Sequence, residues 1–150
     1  MNQKRSEELL PTFCFGVLMK KERFEEIKTM TDAIEHYCRL GFAKGRYSPV
    51  EIGAFLHGYC GGDTEAANRL FAVCLLFVTL KANGAREELA LLRYVCEGKG
   101  KRKAPQKISY LISAYARKSY YDERTVYRRW SRLVSLYSRL LSGMKIKRRQ

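Results

Sequence analysis

Residues 122–143 read DERTVYRRWSRLVSLYSRLLSG. An aspartate opens the stretch, Gly143 closes it, and no helix breaker stands between them. Val126, Trp130, Leu133, Val134, Tyr137, Leu140 and Leu141 recur at offsets of three and four, which puts them on one apolar stripe of a helix. Arg124, Arg128, Arg132 and Arg139 fall mostly on other faces. A helix with one side in a core and the other carrying arginines is either an ordinary amphipathic helix with a solvated basic face or a DNA-reading helix. The rest of the chain has to decide between these.

Charge is the first discriminator. The 150 residues, enough for one domain or two small lobes, are 46% hydrophobic and 29% charged, an ordinary globular mixture, but the net charge is +14. Residues 1–98 hold 13 Lys/Arg and 13 Asp/Glu. Residues 99–150 hold 16 Lys/Arg against Asp122 and Glu123, so 16 − 2 = +14 and the whole excess lies in the last third. A neutral body with a basic end points that end at a polyanion. Nucleic acid is the first candidate and an anionic membrane surface the second.

Upstream, helical periodicity runs through KERFEEIKTMTDAIEHYCRLG, where Phe24, Ile27, Met30, Ile34, Tyr37 and Leu40 share a face and Gly41 is a natural stop. Ser48-Pro49 reads as an N-cap followed by the first helical residue, with Ile52, Phe55, Leu56 and Tyr59 as the apolar face and Gly61-Gly62 as the end. Asp63 caps the next helix, whose run LFAVCLLFVTL is apolar nearly all round, as a helix surrounded by others would be, and Asn83-Gly84 ends it. Residues 85–97 form another amphipathic helix with Leu89, Leu92, Tyr94 and Cys96 as core candidates. GKGKRKAPQK, residues 98–107, is a basic loop, and the following segment puts Ile108, Leu111, Ile112 and Tyr115 on one face. Phe13–Met19 is a short apolar segment of one or two helical turns, Met1–Ser6 is polar and frayed, and the basic tail MKIKRRQ, residues 144–150, is expected to be disordered. No strand alternation, repeat or low-complexity tract is evident. The expected architecture is all-α, with six or seven helices: a neutral helical lobe over 1–97, of unassigned partner-binding or oligomerising role, and a C-terminal helix-turn-helix over 108–143 packed on it.

Five cysteines, an odd number without C-x-x-C spacing, sit among apolar residues and read as reduced thiols of a cytoplasmic protein. The longest apolar run, Leu70–Leu80, is too short to span a bilayer, and no secretory signal precedes it. His36, Cys38, His57 and Cys60 have the residue types of a zinc set, but His36 and Cys38 point to different sides of a helix. HGYCGGD, a glycine-rich turn before a helix, lacks the P-loop lysine and reads as a helix C-cap. Nothing argues for catalysis, and no cofactor or metal is expected.

A helix-turn-helix needs a small residue where its two helices cross, a short turn, and a buried aliphatic in the second helix. YARKSYYDERTVYR offers Ala116 and, ten residues on, Val126, with Asp122 in the capping place. This stretch resembles the helix-turn-helix of the fourth region of bacterial sigma factors, and it is similar to phage regulators of the autolysin-regulator (ArpU-like) kind. ELALLRYVCEGK looks like the helix that precedes the motif in those proteins, so the resemblance covers about residues 87–141. The sequence departs from the pattern at Tyr120, where glycine is usual, at Ser119, where an aliphatic is usual, and in the longer basic loop.

The resemblance implies a sequence-specific transcription regulator that lays the helix starting at Asp122 in the major groove of duplex DNA. Arg124 and Arg128 would then meet bases or phosphates, and Tyr127 would pack on sugar or a thymine methyl. Thr125, Ser131 and Arg132 complete that surface, and Arg117 and Lys118 hold the backbone. Lys99, Lys101, Arg102 and Lys103 would add non-specific phosphate contacts. RNA polymerase is a further candidate partner. Leu133, Leu136, Leu140 and their neighbours exceed the needs of a small motif, so either the N-terminal lobe or a second subunit of a homodimer covers them. The competing roles are a DNA-packaging or RNA-binding protein, and an adaptor whose basic end meets an acidic partner.

Overall fold

The apolar stripe of residues 126–141 is the inner face of the longest helix among the described residues. In the computed structural model, which describes residues 21–99 and 106–149, the described chain is all-helical. Its elements are α1 (Lys21–Arg39), a 3-10 turn (Phe42–Lys44), α2 (Pro49–Tyr59), α3 (Thr64–Ala82), α4 (Arg86–Lys99), α5 (Ile108–Ser119) and α6 (Glu123–Arg149). The expectations for Met1–Ser6 and Phe13–Met19 lie outside the described residues, as do Lys101, Arg102 and Lys103. Among the described residues, no helix is long and apolar enough to cross a membrane.

Local chemistry sets the helix starts. The Ser48 hydroxyl accepts from Glu51 N at 3.2 Å while the Glu51 carboxylate accepts from Ser48 N at 2.8 Å, a reciprocal capping box followed by Pro49 at the first helical position. The Asp63 carboxylate accepts from Ala66 N at 3.1 Å and caps α3. Gly41 takes the left-handed φ of 88° that ends α1 and turns the chain into Phe42.

α3 packs on α1, α2, α4 and α6, as its all-round apolar run predicts. Leu70, Val73, Cys74, Leu76 and Leu80 are buried there. α6 packs on α3, α5, α1 and α4, burying Val126, Trp130, Leu133, Val134, Tyr137 and Leu141. The Tyr137 hydroxyl donates to the Arg69 carbonyl at 2.8 Å, so the phenol is buried with its polar end satisfied. Burial pushes the Tyr137 phenol well above its ordinary pKa. One contiguous apolar core therefore contains residues from α1, α3, α4, α5 and α6. The N-terminal helices cover the stripe of α6 within the single chain.

Several expectations are corrected. The last helix does not stop at Gly143: α6 continues through it to Arg149, so the basic tail is helical rather than disordered over 144–149. A single glycine weakens a helix by only about 1 kcal/mol, too little to end one that is well packed upstream. α4 runs on through Gly98 and Lys99, which are buried, so the basic loop begins later than the sequence predicts. Lys99 is not a free cation for phosphate, because its Nζ lies 3.6 Å from Glu35 Oε1. Phe55 and Tyr59, assigned to the core face of α2, are half exposed, whereas Ile52 and Leu56 are buried. Phe24 is likewise exposed, and α4 buries Leu91 and Val95 in addition to Leu92 and Cys96.

Gly98 is fixed by a close approach. A Cβ there would fall on Leu111 Cδ2 and lie 2.9 Å from Leu111 Cδ1, in a side chain that is itself buried. Gly98→Ala should therefore lower the unfolding free energy by about 1–3 kcal/mol, measured by denaturant titration, through overpacking between α4 and α5. A neutral or stabilising result would show that Leu111 can move aside.

Candidate nucleic-acid interface

Three residues, Tyr120 to Asp122, join α5 to α6. Tyr121 N donates to Ala116 O at 3.0 Å and Tyr120 N to Arg117 O at 3.4 Å, the paired bonds of a Schellman ending. That ending needs a left-handed residue, and Tyr120 supplies it with φ 62°, ψ 28°. The tyrosine does what glycine usually does at such a turn, with its side chain 95% exposed. The Asp122 carbonyl then accepts from Val126 N at 3.2 Å, which starts α6. Ala116 and Val126 are both buried and α5 packs on α6.

This geometry sorts the candidate residues. Arg124, Arg128 and Arg132 are exposed and succeed one another at one-turn intervals of about 6 Å along the axis. Arg117 and Lys118 are exposed at the end of α5, across the turn, and Lys118 Nζ stands 5.2 Å from the centre of the Tyr94 ring. Thr125 and Tyr127 are half-buried. Burial, and next the Glu123 carboxylate, push the Tyr127 phenol up to about 12. Ser131 is engaged within the fold: Arg23 Nη2 of α1 donates to its hydroxyl at 2.5 Å and to its carbonyl at 2.8 Å. Arg23 Nη1 also reaches Ser135 Oγ at 3.2 Å and pairs with Glu26 at 3.0 Å. α1 thus lies against α6 beside Ser131 and Ser135, and the exposed arginines nearest the turn are Arg124 and Arg128.

Sequence reasoning missed Arg129 and its setting. Its guanidinium pairs with Glu87 of α4 at 2.5 Å and stacks 4.3 Å from the centre of the Tyr121 ring. The Tyr121 hydroxyl donates to the other Glu87 oxygen at 3.0 Å. One carboxylate therefore ties α4 to the turn and to the first part of α6, fixing how the Arg124–Arg128 surface is presented. The signal was present in the spacing. Arg129 lies three residues after Val126 and four before Leu133, at the margin of the apolar stripe, where an arginine needs a partner.

The zinc set is also placed. His36 Nε2 lies 3.1 Å from Tyr59 Oη, and among the described residues no three His, Cys, Asp or Glu side chains are grouped to hold a metal ion. Cys38 and Cys96 line a cleft of about 440 Å³ with Lys44, Arg93 and Glu97. Among the described residues Cys38, Cys60, Cys74 and Cys96 are free thiols. No family model, curated protein or solved structure matches the chain.

An L-residue held in the left-handed region costs about 1–2 kcal/mol, and Tyr120 makes up little of that through burial. Tyr120→Gly should therefore raise the unfolding free energy by up to about 1 kcal/mol, the relief being partly offset by the freer unfolded chain. Tyr120→Val should lower it. Urea titration of the two variants checks the pair, and a destabilised glycine variant would contradict the turn assignment.

Proposed function

We propose that the protein is a transcription regulator that binds duplex DNA through the first two turns of α6. The supporting observation is the exposure of Arg124 and Arg128, one turn apart, with Arg117 and Lys118 across a three-residue turn. All of the chain's net charge lies in this last third. An arginine fork matches guanine O6 and N7 in a major groove or a phosphate oxygen pair, and cations on the neighbouring helix end suit the flanking backbone. Buried Ala116 and Val126, ten residues apart on the two packed helices, and the short turn between them are the features on which the likeness to sigma region four and phage regulators rests. A regulator of this kind works in the cytoplasm, with RNA polymerase as its candidate protein partner.

A second reading, a packaging or RNA-binding protein, draws on the length of the basic row. Arg124, Arg128, Arg132 and Arg139 are exposed over 16 residues of α6, about 22 Å of axis. That is longer than the end of one helix uses on base edges, and it suits contacts along a phosphate backbone.

Fluorescence anisotropy with a randomised duplex pool, single strands and structured RNA at one salt concentration separates the two. The regulator reading predicts that duplex is preferred and that particular sequences are enriched on selection. Arg124→Ala combined with Arg128→Ala should lose that enrichment, at about 1–3 kcal/mol per base contact. For each of the two arginines that touches phosphate instead, the slope of log K against log salt should fall by about 0.9. Unchanged affinity in the double variant would remove α6 from the interface, and preference for RNA would favour the second reading.

A further inference from the structure

α1 and α4 pack on each other, and their facing residues form a ladder. Glu35 of α1 meets Lys99 of α4, with Oε1 and Nζ 3.6 Å apart. One turn forward on α1 and one turn back on α4 stand Cys38 and Cys96. A further turn brings Gly41, just past the end of α1, and Arg93. Each rung moves three residues forward on one side and three back on the other, about 4.5 Å of axis, which is the register of an antiparallel helix pair. The second and third rungs line one cleft of about 440 Å³, with Lys44 and Glu97 beside them. Two thiols from different helices thus face the same space. They are unequally placed: Cys38 is half-buried, whereas Cys96 is 1% exposed. A hydrogen bond shared with Cys38, and next burial, push the Cys96 thiol well above its ordinary pKa, and Glu97 adds to the rise.

We propose that Cys38 and Cys96 are a thiol-oxidation site, at which a small hydroperoxide converts the pair into a reversible disulfide between α1 and α4. Cys38 is the attacking thiol. The cleft reaches it, and Lys44 and Arg93 stand there as exposed cations, the partly open, electropositive setting that favours a thiolate. Cys96, the deeper of the two, keeps its proton and donates it in the bond to the Cys38 sulfur. The Cys38 thiolate takes the outer oxygen of the peroxide. The O–O bond breaks, the alcohol or water leaves with the proton that Cys38 gave up, and Cys38 becomes a sulfenic acid. The Cys96 sulfur then attacks the Cys38 sulfur, the S–O bond breaks, and hydroxide leaves as water with the Cys96 proton. Two thiols are oxidised to one disulfide, and the peroxide accepts both electrons. Cys60 is the internal comparison: it too is half-buried, but burial, and next the Asp63 carboxylate, push its thiol up. This inference does not depend on nucleic-acid binding.

Titration of the reduced full chain with hydrogen peroxide, followed by intact mass and non-reducing peptide mapping, tests it. A near-stoichiometric dose should remove two hydrogens from the mass and link the peptides carrying Cys38 and Cys96 within one chain, and dithiothreitol should restore both thiols. In Cys96→Ala, which keeps the buried position apolar, dimedone should trap a sulfenic acid at Cys38 at least about tenfold faster than at Cys60. Cys38→Ser should leave Cys96 reduced at the same dose. Circular dichroism verifies that each variant is folded, and the wild-type mapping decides the disulfide without them. A wild-type chain that forms no Cys38–Cys96 link, or links either residue to another cysteine instead, overturns the proposal. Cys96 oxidation that persists in Cys38→Ser overturns it too, as does trapping of Cys60 ahead of Cys38.

Discussion

One helix has to satisfy two solvents. Along α6, Val126, Trp130, Leu133, Val134, Tyr137 and Leu141 are buried while Arg124, Arg128, Arg132 and Arg139 remain in water. An arginine cannot be buried without a partner, and the aromatic and aliphatic groups gain most by leaving water, so the rotation of α6 about its axis is fixed within narrow limits. The remaining helices are arranged to honour that rotation. α3, α5, α1 and α4 all pack on α6, and the Tyr137 hydroxyl meets a carbonyl of α3 rather than being left without a partner.

Polar contacts then divide the outer part of α6. Near the turn, Glu87 gathers Arg129 and Tyr121 and ties the start of α6 to α4. Further along, Arg23 reaches across from α1 to Ser131 and Ser135. Between these anchors Arg124 and Arg128 stand exposed. These contacts hold the backbone that carries the two arginines, while the Arg124 and Arg128 side chains themselves stand in water.

How much of this was legible in the sequence depended on the range of the interaction. The stripe of α6, the caps at Ser48 and Asp63 and the stop at Gly41 are local, and the sequence shows them because periodicity and capping act over a few residues. The stop at Gly143 failed because packing upstream outweighs the small helix penalty of one glycine. The same weighing carried α4 through Gly98, where the decisive fact, Leu111 lying against the backbone, is a tertiary one. Phe55 and Tyr59 have the spacing of core residues, and periodicity cannot tell a face that meets a neighbour from one that does not. The candidate site was legible as residue types at helical spacing. The engagement of Ser131 by Arg23 and of Arg129 by Glu87 was not, since these partners are 108 and 42 residues away in the chain (131 − 23 and 129 − 87).

The central claim is that the basic C-terminal helices and the neutral N-terminal ones share one core through the inner face of α6. Trp130, the only tryptophan of the chain, is buried in that face, so its fluorescence reports on α6 alone while far-ultraviolet circular dichroism reports on all the helices. Urea unfolding followed by both signals tests the claim directly. A shared core predicts coincident transitions with one midpoint and one slope. A tryptophan transition clearly separated from the loss of helix would mean that the C-terminal pair folds as a unit of its own, and would contradict the account.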